Sequence, residues 1–334
     1  MHRLRRFAVA AGALVAVLAM PAAAQVTVKM STPTINDPLH AWLNTYKDRI
    51  EKAAPGKLKG EVYPASQLGA IPRTVEGLQF GTIEIALMPP EFLIGVDKRY
   101  QVLGAPMLLD DMQHGYRATH HPDYTGTFWK FAEPKGIMTI GQVCDGESSF
   151  AFRTPFRTLD DFKGKKIRAF PSAIEREMLR RLGATAAPMP LDEVITGLQQ
   201  GTIDGAKSGV PVFVGFKYQT ASKYLVRTSE AQICSFRLMS KPWFDKLPAD
   251  LQKVLIDAAR PVDEEIQKLA NEVIEKTYDA WVAGGGELRK LTAEERAEHN
   301  RLLASVGEEV VKGDPELSAA YASWKRIAEA TRKP

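Results

Sequence analysis

Gly77-Leu78-Gln79-Phe80-Gly81-Thr82-Ile83-Glu84-Ile85-Ala86 returns 120 residues later as Gly197-Leu198-Gln199-Gln200-Gly201-Thr202-Ile203-Asp204-Gly205-Ala206. Seven of the ten positions are identical, and at an eighth one acid replaces the other. Each copy reads as a helix end, a glycine stop and a strand start. Gly81 and Gly201 stand where a left-handed residue closes a helix, a conformation that penalises a Cβ. Each strand is followed by a loop rich in proline or glycine: Met88-Pro89-Pro90 in the first copy, Ser208-Gly209-Val210-Pro211 in the second. The spacing is too long for a solenoid repeat. It predicts two similar α/β lobes facing one another across a cleft. Ligands of open α/β sheets sit beyond the carboxyl ends of the strands, so both loops are candidate cleft walls.

The first 24 residues read as a leader rather than part of the fold. Arg3, Arg5 and Arg6 form a basic n-region, Phe7 to Met20 an apolar core, and Ala22-Ala23-Ala24 a small-residue cleavage site. The apolar run is short for a bilayer span. The residues after Arg5-Arg6 fit a twin-arginine signal poorly, so ordinary secretion is expected. No cysteine at the cleavage point provides for a lipid anchor.

The chain's 44 Lys+Arg and 40 Asp+Glu give a formal charge of +4, and the leader holds three of the arginines and no acid. The mature chain therefore stands at +1. Such balance, with 25% charged residues, argues against a nucleic-acid partner, which needs a clustered basic excess. The mature length exceeds one ordinary core and again predicts two lobes.

Alternation and caps give the coarse layout. Val26 to Met30 is a strand, Leu39 to Ala54 an amphipathic helix, and Leu58 to Tyr63 the next strand. Thr158 caps a short helix start, Lys165 to Phe170 is a strand, Ile174 to Leu182 a helix, and Leu191 to Gln200 the helix of the second repeat. Pro248 starts a helix to Ala259, and Pro261 begins another through Val282. Thr292 with Glu295 forms a capping box. Strands alternating with helices mean α/β layers. No low-complexity linker separates the halves, so the lobes share crossing strands rather than a single tether.

Cys144 and Cys234, in two strand-like segments, either pair or remain buried thiols; the export compartment permits a bridge and the spacing does not decide. There is no Gly-x-Ser-x-Gly elbow, phosphate loop, His-Glu-x-x-His or Cys-x-x-Cys. His120-His121 reads as a solvated turn, and no nucleophile stands with a base. Neither catalysis, nor a cofactor, nor a metal is expected.

Along Lys166, Arg168 and Phe170, alternation places the three side chains on one face, with Arg168 ending its strand toward the cleft. A guanidinium stays charged and offers a planar fork for a carboxylate.

Tyr63-Pro64-Ala65-Ser66-Gln67-Leu68-Gly69, Gly81-Thr82-Ile83-Glu84, Gly164-Lys165-Lys166-Ile167-Arg168, Gly201-Thr202-Ile203-Asp204-Gly205 and Trp243-Phe244-Asp245-Lys246-Leu247-Pro248 occur in one order along the chain. Together they resemble the solute receptors of tripartite ATP-independent periplasmic (TRAP) transporters, in their DctP-like branch. The resemblance implies a two-lobed clamshell fold with crossing hinge strands and a long helix bracing both lobes. One lobe would comprise residues 25–145 and 234–270, the other 146–233 and 271–334. It implies a periplasmic, monomeric receptor that binds a small organic carboxylate and delivers it to the membrane subunits of a TRAP transporter. An importer-type or sensor binding protein, or an exported enzyme on the same scaffold, are the alternatives.

By the same resemblance the hinge strands lie near Gln142 to Gly146 and Ile233 to Arg237, bringing Cys144 and Cys234 close. Arg168 takes the place of the arginine that clamps the substrate carboxylate. Ser148 stands where some relatives carry a second arginine, Ser208 where they carry asparagine, and Met88 and Pro89 where others place polar residues. With Phe170 and Leu191 these form the expected ligand-contact set. The apolar substitutions point to a small acid with an apolar body, since the hydroxyls of a sugar acid would go unpaired at ~1–3 kcal/mol each. Glu147 is left as an acid near the hinge, facing either a ligand amine or hydroxyl, or the surface.

Overall fold

A computed structural model describes residues 25–333 of the protein. The leader and the cleavage expected after Ala24 lie outside the described residues. The chain begins with β1 (Val26–Ser31), α1 (Pro38–Ala53), β2 (Leu58–Tyr63), α2 (Ile71–Phe80) and β3 (Ile85–Met88), followed by α3 (Met112–Thr119) and α4 (Pro122–Thr125). The long β4 (Ile137–Phe152) leads to β5 (Lys166–Arg168), α5 (Ala173–Arg181), β6 (Thr185–Ala186), α6 (Val194–Gln200), β7 (Gly205–Gly209) and α7 (Val210–Gly215). The equally long β8 (Tyr224–Ser240) leads to α8 (Lys241–Phe244), α9 (Ala249–Ala283), β9 (Glu287–Lys290), α10 (Ala293–Leu303), α11 (Val306–Val311) and α12 (Pro315–Thr331).

The strands form one sheet in the order β2-β1-β3-β8-β4-β7-β5-β6, with β9 beside β8. The antiparallel pair β4 and β8 occupies its centre, and a parallel triad flanks the pair on either side. This is the two-lobed clamshell with crossing strands. The repeat sets its near-symmetry. Gly81 and Gly201 both close their helices at φ 74°. Glu84 accepts from the Lys29 backbone N–H at 2.7 Å, and Asp204 from that of Lys166 at 2.8 Å. The exchanged acids thus do one job twice, tying each repeat to the strand beside it. A Cβ at Gly77 would clash with Ile83 at 2.8 Å, and one at Gly197 would press on Thr202 and Ile203 at 3.2 and 3.3 Å.

Where the central strands cross from lobe to lobe, their register shifts between Thr139 and Gly141, Cys144 and Gly146, and Glu147 and Ser149. Such irregularities bend and twist a strand pair. Cys144 faces Cys234 directly and is bridged to it, their Cα atoms 3.8 Å apart. The sequence left this pairing open; the register decides it.

One expectation is corrected. The two helices read on either side of Arg260 are a single 35-residue helix, α9, with Pro261 inside it. Proline removes one backbone donor, but Leu255, Ala258, Ala259, Val262 and Ile266 carry the buried stripe across the break. Packing against α1, β4 and α7 holds the helix continuous. At ~1.5 Å per residue it is ~52 Å long and braces both lobes. The C-terminal helix α12 packs on residues 98–104 and on α3, stretches that the sequence division places in the other lobe.

Candidate functional site

The facing loops of the repeat line a narrow cavity in the cleft. One wall comes from the β1–α1 turn (Pro33, Thr34, Asp37), from Ile71, and from Pro89 and Phe92 beyond β3. The other comes from Arg168, Phe170, Leu191, Ser208, Gly209, Pro211 and Val212. Asp145, Gly146, Ile233 and Ser235 of the crossing strands form its floor. Phe92 and Phe170 meet edge to face, ring centres 5.7 Å apart, and so join the two walls.

Arg168 ends β5 opposite Ala206 of β7, as Ser31 ends β1 opposite Ala86 of β3. The second lobe thus puts a guanidinium where the first puts a hydroxyl. Of the three residues expected on one face, Arg168, 1% exposed, and Phe170 line the same cavity, whereas Lys166 at the strand's start is exposed to solvent. Nη1 donates to the Lys207 carbonyl at 3.0 Å and Nε to that of Met189 at 3.4 Å. The guanidinium carbon lies 5.1 Å from the Phe170 ring centre. Burial draws the Arg168 pKa down, with Tyr218, Glu175 and Glu91 opposing. Among the described residues no carboxylate oxygen lies within 4 Å of it. It is a buried, braced cation that opens onto a cavity.

A second charged group borders the floor. Asp145 lies 3.6 Å from Arg237 Nη1, and Arg237 Nε lies 3.7 Å from Asp263 of α9. Burial pushes the Asp145 carboxyl up to about 7 against the pull of Arg237 and Ser235. Burial also raises Asp37, although its Oδ1 caps α1 by accepting from the His40 N–H at 3.0 Å. Asp263 is fixed by Trp42 Nε1 at 2.6 Å and the Gln142 N–H at 3.0 Å.

A neighbouring cavity shares Phe170 and Ile233 and is lined by Glu91, Gln142, Ser148, Glu175, Lys207 and Gln232. Lys207 is paired with Glu175, and Glu230 stands 3.5 Å away. Burial pulls the Lys207 pKa down, but Glu175 and Glu230 outweigh it and leave it raised. Burial and the charge of Glu175 push Glu91 up to about 7.

Of the residues singled out in the sequence, Arg168, Phe170, Ser208, Pro89 and Leu191 meet in the cleft cavity. Ser148 lines the neighbouring cavity instead, and Met88 is packed in the core. Glu147 is neither cleft-facing nor on the surface: it is buried, 2.5 Å from Arg227 Nε, and accepts from the Tyr278 hydroxyl at 3.0 Å. Asp37, Asp145 and Ser235 escaped the sequence reading. Asp37 looks like a helix cap, which it also is, and the partners of Asp145 lie on β8. Among the described residues no group of three or more His, Cys, Asp or Glu is set to hold a metal. His120 packs on Tyr116 and His121 caps α4.

The family model described as bacterial extracellular solute-binding protein, family 7 (DctP) matches residues 30–314. A solute-binding protein of Verminephrobacter eiseniae is 30% identical over 72% of this chain and 72% of its own. The C4-dicarboxylate-binding periplasmic protein DctP of Rhodobacter capsulatus is 28% identical over 91% of this chain and 92% of its own. Among solved structures, a TRAP periplasmic solute-binding protein from Xanthobacter autotrophicus with bound β-D-galacturonate is 26% identical, with TM-score 0.81, over 90% of this chain and 99% of that one.

Proposed function

The chain belongs to family 7 of the bacterial extracellular solute-binding proteins, a family of transport receptors and not of enzymes, and from that premise we propose that it captures a small organic acid whose carboxylate is clamped by Arg168. The observation that carries the proposal is a buried guanidinium, braced by two carbonyls, that opens on the cleft without a carboxylate of its own. A buried charge is costly unless it is paired, and a carboxylate matches the fork. The ligands named for the Xanthobacter and Rhodobacter relatives, a sugar acid and C4-dicarboxylates, support the acid class.

In this reading Phe170, Leu191 and Pro89 cover the ligand's carbon body, and Ser208 supplies a polar contact. Ser148 and Met88 act from behind the site. Residues 25–145 with 234–270 and α12 form one lobe, 146–233 with the rest of 271–334 the other, and the two move about the bulged crossing strands. The acid is handed to TRAP membrane subunits by a monomeric, exported protein processed after Ala24. No helix of the described residues is long and apolar enough to cross a membrane. A thermal-shift screen of the purified protein against carboxylic acids, with mass spectrometry of molecules released on denaturation, tests the proposal. Stabilisation by at least one acid is expected; stabilisation only by neutral or cationic solutes would overturn it.

A further inference from the structure

Building on the carboxylate reading, we propose that the cleft is made for a zwitterion: a carboxylate on Arg168 and, across an apolar middle, an ammonium group on Asp145, Asp37 and Ser235. All three residues line the same cavity as Arg168. Asp145 is 6% exposed and Asp37 8%, and Ser235 is fully buried. Asp145 Oδ2, Asp37 Oδ2 and Ser235 Oγ make no well-formed hydrogen bond among the described residues, although Ser235 and Arg237 stand near the Asp145 carboxyl and Thr34 near that of Asp37. Unsatisfied buried oxygens are rare and costly. Three acceptors suit an ammonium, which has three donors and no acceptor.

Charge decides between an ammonium and a hydroxyl. Around the cavity and its floor stand two guanidiniums, Arg168 and Arg237, and three carboxylates, Asp37, Asp145 and Asp263. Arg237 is shared between Asp145 and Asp263, at 3.6 and 3.7 Å, and donates its hydrogen bond to the Ser235 carbonyl instead. A plain acid would add a negative charge beside carboxyls that burial already holds above their usual range. A hydroxyl leaves that added charge in place, whereas an ammonium offsets it. Asp145 lies on β4 and Arg168 on β5, with β7 between them in the sheet. The two poles are therefore separate, and Leu39, Pro89, Phe170, Leu191 and Ile233 supply apolar surface around them.

Calorimetry with acid pairs that differ only in the amino group tests this: 5-aminopentanoate and pentanoate, leucine and 4-methylpentanoate, phenylalanine and 3-phenylpropanoate. In at least one pair the amino acid is expected to bind tenfold or more tightly. Asp145→Asn should abolish that preference, read as the ratio of the two affinities within a pair, and Asp37→Asn should weaken it in the same direction. Circular dichroism confirms that each variant is folded. Deaminated acids binding as well as their amino partners in every pair would overturn the zwitterion and spare the carboxylate clamp, as would a preference that survives both substitutions. Failure of all six carboxylates to bind would overturn the zwitterion and count against the clamp as well.

Discussion

Arg168 is held by the backbone of Lys207, whose carbonyl accepts from Nη1 at 3.0 Å, while the Lys207 side chain enters the neighbouring cavity to pair with Glu175. One residue of β7 thus braces the cleft's cation and neutralises the acids behind it. The fork meets a ligand already oriented, so little of its ordering entropy is left to lose on binding.

Replacing Lys207 by methionine keeps the β7 carbonyl but strips Glu175 and Glu230 of their cation. Breaking a buried pair from one side costs ~3–5 kcal/mol. Chemical denaturation of Lys207→Met should show a loss of that order, and a change below ~1 kcal/mol would mean the network is not coupled to folding.

The Cys144–Cys234 bridge spans 90 residues of sequence and ties the crossing strands at mid-hinge. Removing such a link costs ~2–4 kcal/mol, chiefly by freeing the unfolded chain. Urea midpoints for the oxidised protein and the double Cys→Ser variant should differ accordingly. Free thiols in the oxidised, denatured protein would reject the bridge.

Glu91 yields a pH signature. Its carboxyl is ordinarily near 4.5 and is pushed to about 7 in the fold by burial and by Glu175, with Lys207 and Arg168 opposing. The folded state therefore binds that proton more tightly. This contribution is full below about 4.5, declines as pH rises to about 7, and is flat above, with a limiting slope of ~1.4 kcal/mol per pH unit. Glu91→Gln should be more stable than the parent at pH 8, with the difference shrinking toward pH 5. Denaturation midpoints at the two pH values measure this, and a pH-independent difference would contradict it.

Features set by neighbours in sequence were legible. Gly81 and Gly201 could be read as left-handed stops, and the Thr292–Glu295 capping box forms as expected. Arg168 was legible as the end of a strand, which alternation shows locally, while its role as a clamp came only from the resemblance and stays a proposal. What escaped depends on contacts distant in sequence. Pro261 looks like a boundary until the stripe it interrupts is seen against α1 and β4. Asp145 gives no sign of its place in the cleft until β8 brings Arg237 beside it, and Glu147 is claimed by Arg227 and Tyr278. Met88 sits one residue from cleft-lining Pro89 and Ser148 two from Gly146 of the cavity floor, in strands buried on both faces, where alternation no longer separates inside from outside.

The account rests most heavily on Arg168 and the ligand's carboxylate. Calorimetry of Arg168→Ala and Arg168→Lys, with the acid giving the largest thermal shift and with its amide, tests that pairing directly. Truncating one partner of a buried charge pair costs ~2–5 kcal/mol, which is roughly thirtyfold to several thousandfold in affinity. Lysine should restore only part, since it keeps the charge and loses the fork, and the amide should bind the parent weakly. Near-parental affinity in Arg168→Ala, or equal binding of acid and amide, would contradict the account.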